Sequence, residues 1–391
     1  MREFILTKKI FTEEPEHELW RNLLQYSYKS NIRRYFEEHG NPIIDDTQSE
    51  NNFDVLANAI AGALMQADEY YKASKMVSLH VEPLMLYYGT TNLLYAMSIL
   101  TKGRRVDINN HGMKIEVDAD LEYMADTKIK FFRTSDGGVH VFAKNLGFDK
   151  DLCKYAHNGP DGKECWTLSD YLDSIAEIAD DFNRCYPERK SHILMLDVVN
   201  TADGIVEKIQ VNSEGTTEFS SSDIEGFSKA YLNPSLGTMR DGKKHLVLHH
   251  KINGEKIEQT SYSGQPYLRV SHKVGKELIT IPEELNMYIA LFVLGNLCRY
   301  YPDKWYPFVT QDSTGEKLLV EKLLYFSRRM LPNIVLDRIV GEKILFVSDK
   351  YVPDDRVRLV GDHEVKEIVK EEVSKQLQSQ QINNAIQIRK R

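Results

Sequence analysis

The sequence contains no Cys-x-x-Cys pair, and its four cysteines have spacings that fit no zinc-binding template. Four cysteines do not form a disulfide framework in a chain of 391 residues, which predicts reduced thiols and a cytoplasmic protein. The P-loop, Gly-x-Gly-x-x-Gly, Gly-x-Ser-x-Gly and His-Glu-x-x-His motifs are absent as well. The common kinases, NTPases, dehydrogenases, hydrolases and zinc proteases are therefore unsupported, and we expect no cofactor.

Long apolar runs and an excess of positive charge are also missing. Residues 1–10 lack the apolar region of a signal peptide. The uncharged stretch Pro83–Thr101 has the length of a marginal membrane span, but Gly89 and polar residues such as Asn92 interrupt it. It is therefore predicted to be a buried helix of a soluble protein that does not enter the membrane. The formal net charge of −8 gives no overall attraction to nucleic acid or anionic lipid.

Apolar residues recur at helical spacing towards both ends of the chain. In the N-terminal part they predict helices over Glu13–Glu38 and Phe53–Leu79, followed by the helix that Pro83 opens. In the C-terminal part they predict helices over Glu283–Tyr301 and Glu316–Leu331, each ended by the proline that follows.

Strand-like runs separated by turn residues dominate the middle of the chain. Asp-Gly and Asn-Gly pairs between β-rich runs are strong hairpin signals. The expected hairpins are Ile129–Phe142 with its turn at Asp136-Gly137, and two others with tips at Asp203-Gly204 and Asn253-Gly254. One helix, Leu168–Tyr186, interrupts these strands, and a further strand is predicted over Lys343–Val347.

These patterns predict an α+β fold in which a strand-rich region is inserted into a helical bundle, with a C-terminal helical tail. The segments Pro83–Leu100 and Leu285–Leu297 are too apolar to face water, so we expect them to pack in one bundle. The predicted regions are residues 1–115 and 282–348 for the two parts of the bundle, 116–281 for the strand-rich region, and 349–391 for the tail.

Several blocks of this sequence resemble the YaaC-like family. The first is Pro83–Leu100 (PLMLYYGTTNLLYAMSIL), which is followed after a short gap by Asn110–Met113 (NHGM). The second is Leu285–Trp305 (LNMYIALFVLGNLCRYYPDKW), with Leu331-Pro332 further on. The N-terminal Trp20–Leu24 also fits. The resemblance implies a fold more readily than an activity.

The helix with Tyr87 and Tyr88, the basic turn after it and then His111 are also similar to the core of HEPN domains. These are helical bundles found in toxins and defence ribonucleases, in which an arginine and a histidine cleave RNA at a dimer cleft. The resemblance implies that His111 takes the 2′-hydroxyl proton while Arg104 or Arg105 stabilises the phosphorane. In the alternative interpretation, His111 closes a packed turn and its imidazole caps a carbonyl group.

Other aromatic, amide and basic residues are candidates for binding a ligand or nucleic acid. The tyrosines either stack on a base or fill the core, and the amide is expected to bond to a neighbouring helix. The arginines either complement helix ends or join Arg105 in a phosphate-binding cleft. The candidates are Tyr87, Tyr88, Asn92, Arg299, Arg328 and Arg329.

Three histidines in one predicted strand, His245, His249 and His250, do not predict a metal site. Adjacent residues of a strand point to opposite faces, so His249 and His250 cannot both reach one ion. His245 and His249 share a face, but no third ligand is evident beside them. We therefore expect no metal.

The C-terminal tail carries a narrow apolar stripe from Val365 on and ends in Arg389-Lys390-Arg391. Such a helix cannot bury itself and is marginal in water, so it needs a partner. It packs on the body of the chain, on a second copy of the chain or on another protein, unless it is a disordered tail without a role. We expect a second copy or another protein to be the partner. Deletion of the residues after Asp362 is expected to leave the body folded and to weaken that association.

Three functions remain open at this point. The first is an interaction or regulatory component of bacterial stress or antiviral defence, because no complete catalytic constellation can be read from the residues. The second is a metal-independent HEPN-like ribonuclease that uses His111 with Arg104 or Arg105. The third is a nucleotide- or RNA-binding module that does not cleave.

Overall fold

The computed structural model describes residues 7–132, 136–148, 158–201, 204–210, 220–232, 234–238, 244–251, 254–262 and 264–347. Their mixture of α-helices and small sheets confirms the predicted α+β class. The helices are α1 (Pro15–Leu24), α2 (Lys29–His39), α3 (Phe53–Ser74), α4 (Glu82–Lys102), α5 (Gly138–Asn145), α6 (Ser169–Leu172), α7 (Ala179–Cys185), α8 (Phe227–Ala230), α9 (Glu283–Tyr300), α10 (Pro302–Gln311) and α11 (Glu316–Val340). The strands are β1 (Thr7–Phe11), β2 (Met113–Glu116), β3 (Lys128–Phe131), β4 (Trp166–Thr167), β5 (Ile193–Met195), β6 (Asp197–Thr201), β7 (Gly204–Gln210), β8 (Ser235–Thr238), β9 (Lys244–Leu248), β10 (Gln259–Thr260), β11 (Pro266–Arg269), β12 (His272–Val274), β13 (Glu277–Ile279) and β14 (Lys343–Val347).

The chain divides into two compact units. Among the described residues, the larger contains Glu16–Ile344, and the smaller contains Lys9–Pro15 and Leu345–Val347. In the smaller unit, β1 pairs with β14, and the Thr12 backbone N donates to the Val347 carbonyl oxygen at 2.8 Å. The predicted tail, residues 349–391, lies outside the described residues, and the predicted regional boundaries remain predictions.

Helix α4 lies at the centre of the helical part and packs against α3, α9 and α11. The expected contact between Pro83–Leu100 and Leu285–Leu297 is therefore confirmed. Gly295 of α9 faces α4, and a Cβ atom there would make only ordinary van der Waals contacts, 3.5 Å from the Cβ atom of Tyr87 and 3.6 Å from the Cα atom of Leu84. Within the described ranges, none of the helices has the length and hydropathy needed to span a bilayer.

A close approach between α3 and α4 gives a testable prediction at Gly89. A Cβ atom on this residue would lie only 2.7 Å from Cδ2 of the buried Tyr71 ring, which is held by its hydroxyl hydrogen bond to Thr90. We expect Gly89→Ala to lower the free energy of unfolding by about 1–2 kcal/mol, because overpacking exceeds the gain in helix propensity.

The matched control for Gly89 is Gly62 in α3, where a Cβ atom would meet no atom within 4 Å. Gly62→Ala should raise the free energy of unfolding by about 0.5–1 kcal/mol, because alanine is the better helix former. Urea denaturation followed by circular dichroism measures both changes. Equal effects of the two substitutions would contradict the close packing of α4 on Tyr71.

The small sheets in the middle of the chain position several side chains discussed below. Their strand orders are β2-β3-β4, β10-β11-β5, β12-β13 and β6-β7-β9-β8. A local core contains Leu196, Ile224, Phe227, Ala230, Tyr231, Leu248, Leu268 and Val270. Strand β12 also packs against the short turn Pro160–Gly162, which brings His272 beside Asp161.

The predicted hairpin over Ile129–Phe142 is wrong. Strand β3 pairs with β2 and β4, and the expected second strand forms helix α5. In this helix Val139, Phe142 and Ala143 share one buried face, and Phe142 packs edge-on against Tyr288. The burial of this face outweighs the β-propensity of the alternating valines and phenylalanine.

One of the other two predicted hairpins is confirmed. Strands β6 and β7 pair antiparallel with Thr201 opposite Gly204, as the Asp203-Gly204 turn predicts, although Asp203 itself lies outside the described residues. The hairpin at Asn253-Gly254 is wrong, because β9 pairs with β7 and β8 while β10 pairs with β11. A turn pair alone does not select the partner strand, which depends on packing against the rest of the sheet.

Helix α9 ends at Tyr300, as the proline after it predicts, but the second predicted proline stop is wrong. Pro302 begins α10, at a position where a missing backbone N–H costs little. Pro332 lies inside α11, which continues to Val340. The residues beyond it include the buried Val335, Leu336 and Ile339, whose burial offsets the lost backbone hydrogen bond. The predicted end at Leu331 is therefore wrong.

Candidate functional site

Tyr87 of α4 is the centre of an aromatic cluster where α4 meets α9. Its hydroxyl is hydrogen-bonded to His111 Nδ1 at 2.7 Å and lies 3.3 Å from the Tyr288 hydroxyl. The ring of Phe292 packs against both Tyr87 and His111, with centroid separations of 5.6 and 5.5 Å. Burial raises the pKa of the Tyr87 hydroxyl well above its ordinary range, so Tyr87 keeps its proton.

His111 is partly exposed on the outer side of this cluster. Burial of part of its ring and the positive charge of Arg299 both lower its pKa below the ordinary value of 6.5. The imidazole is therefore mainly neutral at pH 7, with Nδ1 engaged by Tyr87. A neutral ring offers a hydrogen bond or a stacking face to a ligand, and its environment does not favour a second proton.

Arg299 places a cation beside His111 near the C-terminal end of α9. Its Nη1 donates to the Tyr88 hydroxyl at 2.8 Å, and its guanidinium lies 4.8 Å from the centroid of the Tyr300 ring. Within the described part of the chain, Arg299 forms no ion pair with a carboxylate. Tyr300 is 59 % exposed. We call Tyr88, His111, Arg299 and Tyr300 the His111 surface.

The other basic candidates lie elsewhere. Arg104 and Arg105 follow the end of α4, and the 15 residues from Tyr87 to Lys102 rise about 22 Å along the helix. The Arg105 Nε donates to Asp107 at 2.7 Å, so this charge is paired. The structure therefore places Arg299 next to His111, and the catalytic pairing of His111 with Arg104 or Arg105 remains a prediction.

Three further candidates make contacts within the helices. Arg328 pairs with Glu82 at 2.7 Å, and Arg329 donates to the Asn333 side chain at 3.0 Å. Asn92 donates to the Tyr88 carbonyl oxygen of its own helix at 3.0 Å. The expected bond from Asn92 to a neighbouring helix is thus wrong, because a carbonyl four residues back is the nearer acceptor.

A cavity of about 1210 Å³ lies between the strand-rich part and helices α9 and α11. Arg269 lines it and is buried. Its Nη1 donates to the Ile281 carbonyl oxygen at 3.1 Å, while Nε and Nη2 make no hydrogen bond of normal geometry to a described residue. Burial and the neighbouring Glu177 raise the pKa of Glu283 to about 7. Acidic and basic side chains both line this cavity, so its charge is mixed.

A second cluster combines two histidines and a carboxylate. His272 Nδ1 lies 3.0 Å from Asp161 Oδ2, and His192 Nε2 lies 3.8 Å from the same oxygen. The two imidazole rings stack with centroids 4.1 Å apart. Among the described residues, these three form a group whose donor atoms lie close enough to hold a metal ion.

The protonation of this cluster follows from its charges. Burial lowers the pKa of His272, but the carboxylates of Asp173 and Asp161 outweigh burial and raise it to about 10. Burial raises the pKa of Asp161, but hydrogen bonds from His272 and the Lys273 backbone N outweigh it and lower the value to about 2. Without an ion, the pair is thus an imidazolium and a carboxylate.

Sequence reasoning missed both the cavity and the histidine cluster. Tens of residues separate Asp161, His192 and His272 in the sequence. Asp161 lies in a turn, His192 directly precedes strand β5, and His272 begins strand β12. No short motif joins them, so their proximity follows only from the packing of β12 on the turn at Pro160–Gly162. The histidines weighed from the sequence, His249 among them, are not part of this cluster.

Comparison with known proteins identifies a family. A family model described as YaaC-like protein matches residues 24–339, about four-fifths of the 391 residues. The match includes both resembling blocks, Pro83–Leu100 and Leu285–Trp305. No curated protein and no solved structure matches the chain significantly. The resemblance to HEPN domains remains a prediction, whereas the chain belongs to the YaaC-like protein family.

Proposed function

We propose that the chain is a binding protein that holds a phosphate group of RNA or of a nucleotide on the His111 surface without cleaving it. The observation that carries the proposal is Arg299, a cation without a carboxylate partner in the described part of the chain. Its position is held by the Tyr88 hydroxyl and the Tyr300 ring. A guanidinium held in place binds phosphate oxygens through two parallel hydrogen bonds.

The rings around Arg299 suit the rest of such a ligand. His111 and Tyr300 expose aromatic faces, and bases stack on faces of this kind without regard to sequence. Because the formal net charge is −8, the attraction has to come from this local surface. An interaction or regulatory role in bacterial stress or antiviral defence, and a cytoplasmic location, are extensions of this proposal.

Cleavage is the weaker alternative. A ribonuclease needs a base for the 2′-hydroxyl proton and a cation for the phosphorane. His111 Nδ1 is already bonded to Tyr87, whose hydroxyl keeps its proton. Arg299 is available as the cation, so the two functions share one surface and the same RNA experiment separates them.

Binding of a fluorescein-labelled single-stranded RNA, followed by fluorescence anisotropy at fixed salt concentration, tests the proposal. We expect Arg299→Ala to weaken binding about tenfold or more, because a charge-assisted phosphate contact contributes about 1.5–3 kcal/mol. The slope of log affinity against log salt should also fall by about 1. Arg104→Ala removes the same charge at the other end of α4, and we expect it to change affinity less than about twofold.

Two results would contradict the proposal. Equal weakening by Arg299→Ala and Arg104→Ala would show a diffuse charge effect without a site. Shortening of the RNA by the wild-type chain, and not by His111→Ala, would show a ribonuclease instead of a non-cleaving module. Gel electrophoresis of the RNA recovered from the binding reactions distinguishes these outcomes.

A further inference from the structure

We infer that Asp161, His192 and His272 form a binding site for a divalent transition metal ion. The site lies outside the His111 surface and does not depend on the proposed function. Two imidazoles and one carboxylate match the ligand types that zinc prefers in catalytic sites with three protein ligands.

The spacing of the donor atoms fits one ion. One donor atom from each residue lies within 4.8 Å of the other two, and the closest pair is His272 Nδ1 and Asp161 Oδ2 at 3.0 Å. Ligands about 2.0–2.2 Å from a tetrahedral zinc ion are about 3.3–3.5 Å from one another. The wider approach of His192 Nε2, 3.8 Å from Asp161 Oδ2, needs only a small side-chain movement to close.

The surroundings of His272 select the nitrogen that faces the ion. Its Nε2 lies 3.0 Å from the Asp170 carbonyl oxygen and 3.2 Å from the Ser174 hydroxyl. A ligating histidine characteristically donates its second ring N–H to such a carbonyl, which fixes the tautomer and the ring orientation. Nδ1 then points towards Asp161 as the ligand atom.

Asp161 is held in an unusual conformation. Its φ of 54° places a non-glycine residue in the left-handed region, and its Oδ1 accepts a hydrogen bond from the Lys273 backbone N at 2.9 Å. This hydrogen bond directs Oδ2 towards the two histidines. A strained residue that is held by its neighbours is typical of functional positions.

Charge and access also favour a cation. Beside Asp161, the buried carboxylates of Asp170 and Asp173 lie in the same cluster, and Lys163 pairs with Asp170. Even with the His272 imidazolium, three carboxylates and one ammonium leave a net negative charge, which favours a cation. The side chain of Asp161 is 34 % exposed, whereas those of the two histidines are buried, so an ion enters from the Asp161 side.

Isothermal titration of the chelator-treated full chain with zinc chloride tests the inference. We expect the wild type to bind one ion per chain through this site. His192→Ala and Asp161→Asn should each weaken that binding about 100-fold, because the first removes a ligand and the second replaces an anionic ligand with a neutral amide. His249→Ala removes an exposed histidine outside the cluster and should leave zinc affinity unchanged.

Two further measurements keep the test decisive. Circular dichroism of the ion-free variants identifies any that fail to fold, and a zinc-dependent rise in melting temperature should occur in the wild type and be lost in folded His192→Ala or Asp161→Asn. With cobalt(II) in place of zinc, a ligand-field spectrum without a thiolate band supports nitrogen and oxygen ligands. The inference is overturned if the wild type binds no ion, if both variants bind as tightly as the wild type, or if a thiolate band shows that cysteines hold the ion.

Discussion

Replacing Glu316 with alanine is expected to lower the free energy of unfolding by about 3–5 kcal/mol. Glu316 is 2 % exposed and lies in the first turn of α11. Its carboxylate accepts hydrogen bonds from the backbone N atoms of Met124 and Ala125 at 2.8 and 2.7 Å. It also accepts one from the Tyr186 hydroxyl at 2.6 Å.

The size of this effect follows from the three buried donors that lose their acceptor. Each unsatisfied buried donor costs about 1–3 kcal/mol, and a water molecule entering the space left by the carboxylate recovers only part of this cost. The three donors are far from Glu316 in sequence, so the carboxylate joins α11 to the turn at Met124–Asp126 and to the end of α7.

Urea denaturation of Glu316→Ala and of a control on the same helix measures the effect. Glu321→Ala removes an exposed carboxylate one and a half turns later and should change the free energy of unfolding by less than about 0.5 kcal/mol. Glu316→Gln keeps one oxygen acceptor and should fall between the two. A loss below about 1 kcal/mol for Glu316→Ala would contradict this account of the carboxylate.

The long helices were predictable because their signals are local. The apolar stripe of Phe53–Ser74 and the continuous apolar surfaces of α4 and α9 require burial whatever the partner. Prediction failed where contacts with residues distant in sequence decide whether a segment forms a helix or a strand. At Phe142 the contact with Tyr288 selected a helix, although the local pattern suited a strand.

The candidate site was predictable in its members but not in their arrangement. His111, Tyr87 and Arg299 were each recognisable as polar or aromatic residues in or near apolar helices. The sequence pairs His111 with the nearest arginines along the chain, Arg104 and Arg105, because a sequence shows only how far apart residues are along the chain. The packing of α4 on α9 brings Arg299, almost 190 residues later, to that histidine instead.

Asp337→Asn is expected to stabilise the protein, by an amount that grows with pH. Asp337 is 5 % exposed near the end of α11, and its Oδ1 accepts hydrogen bonds from the Ile344 backbone N at 2.9 Å and the Asn333 side chain at 3.1 Å. Burial raises the pKa of its carboxyl from 3.8 to about 7, against the opposing effects of these hydrogen bonds and of the charges of Lys343 and Arg338.

The sign of the pH dependence follows from where the proton is held. Between about pH 4 and pH 7 the folded chain keeps a proton on Asp337 that the unfolded chain has lost, so raising the pH through this range destabilises the fold. The two pKa values differ by about 3, which corresponds to about 4 kcal/mol once the pH exceeds 7.

Asparagine keeps the oxygen acceptor and has no charge to bury, so the variant escapes this loss. We expect it to exceed the wild type in free energy of unfolding by about 2 kcal/mol at pH 5 and by about 4 kcal/mol at pH 8. Urea denaturation at the two pH values measures the difference, with the exposed Asp303→Asn as the control for removing a carboxylate. A gap between Asp337→Asn and the wild type that stays the same at both pH values would show that Asp337 is ionised in the folded chain throughout.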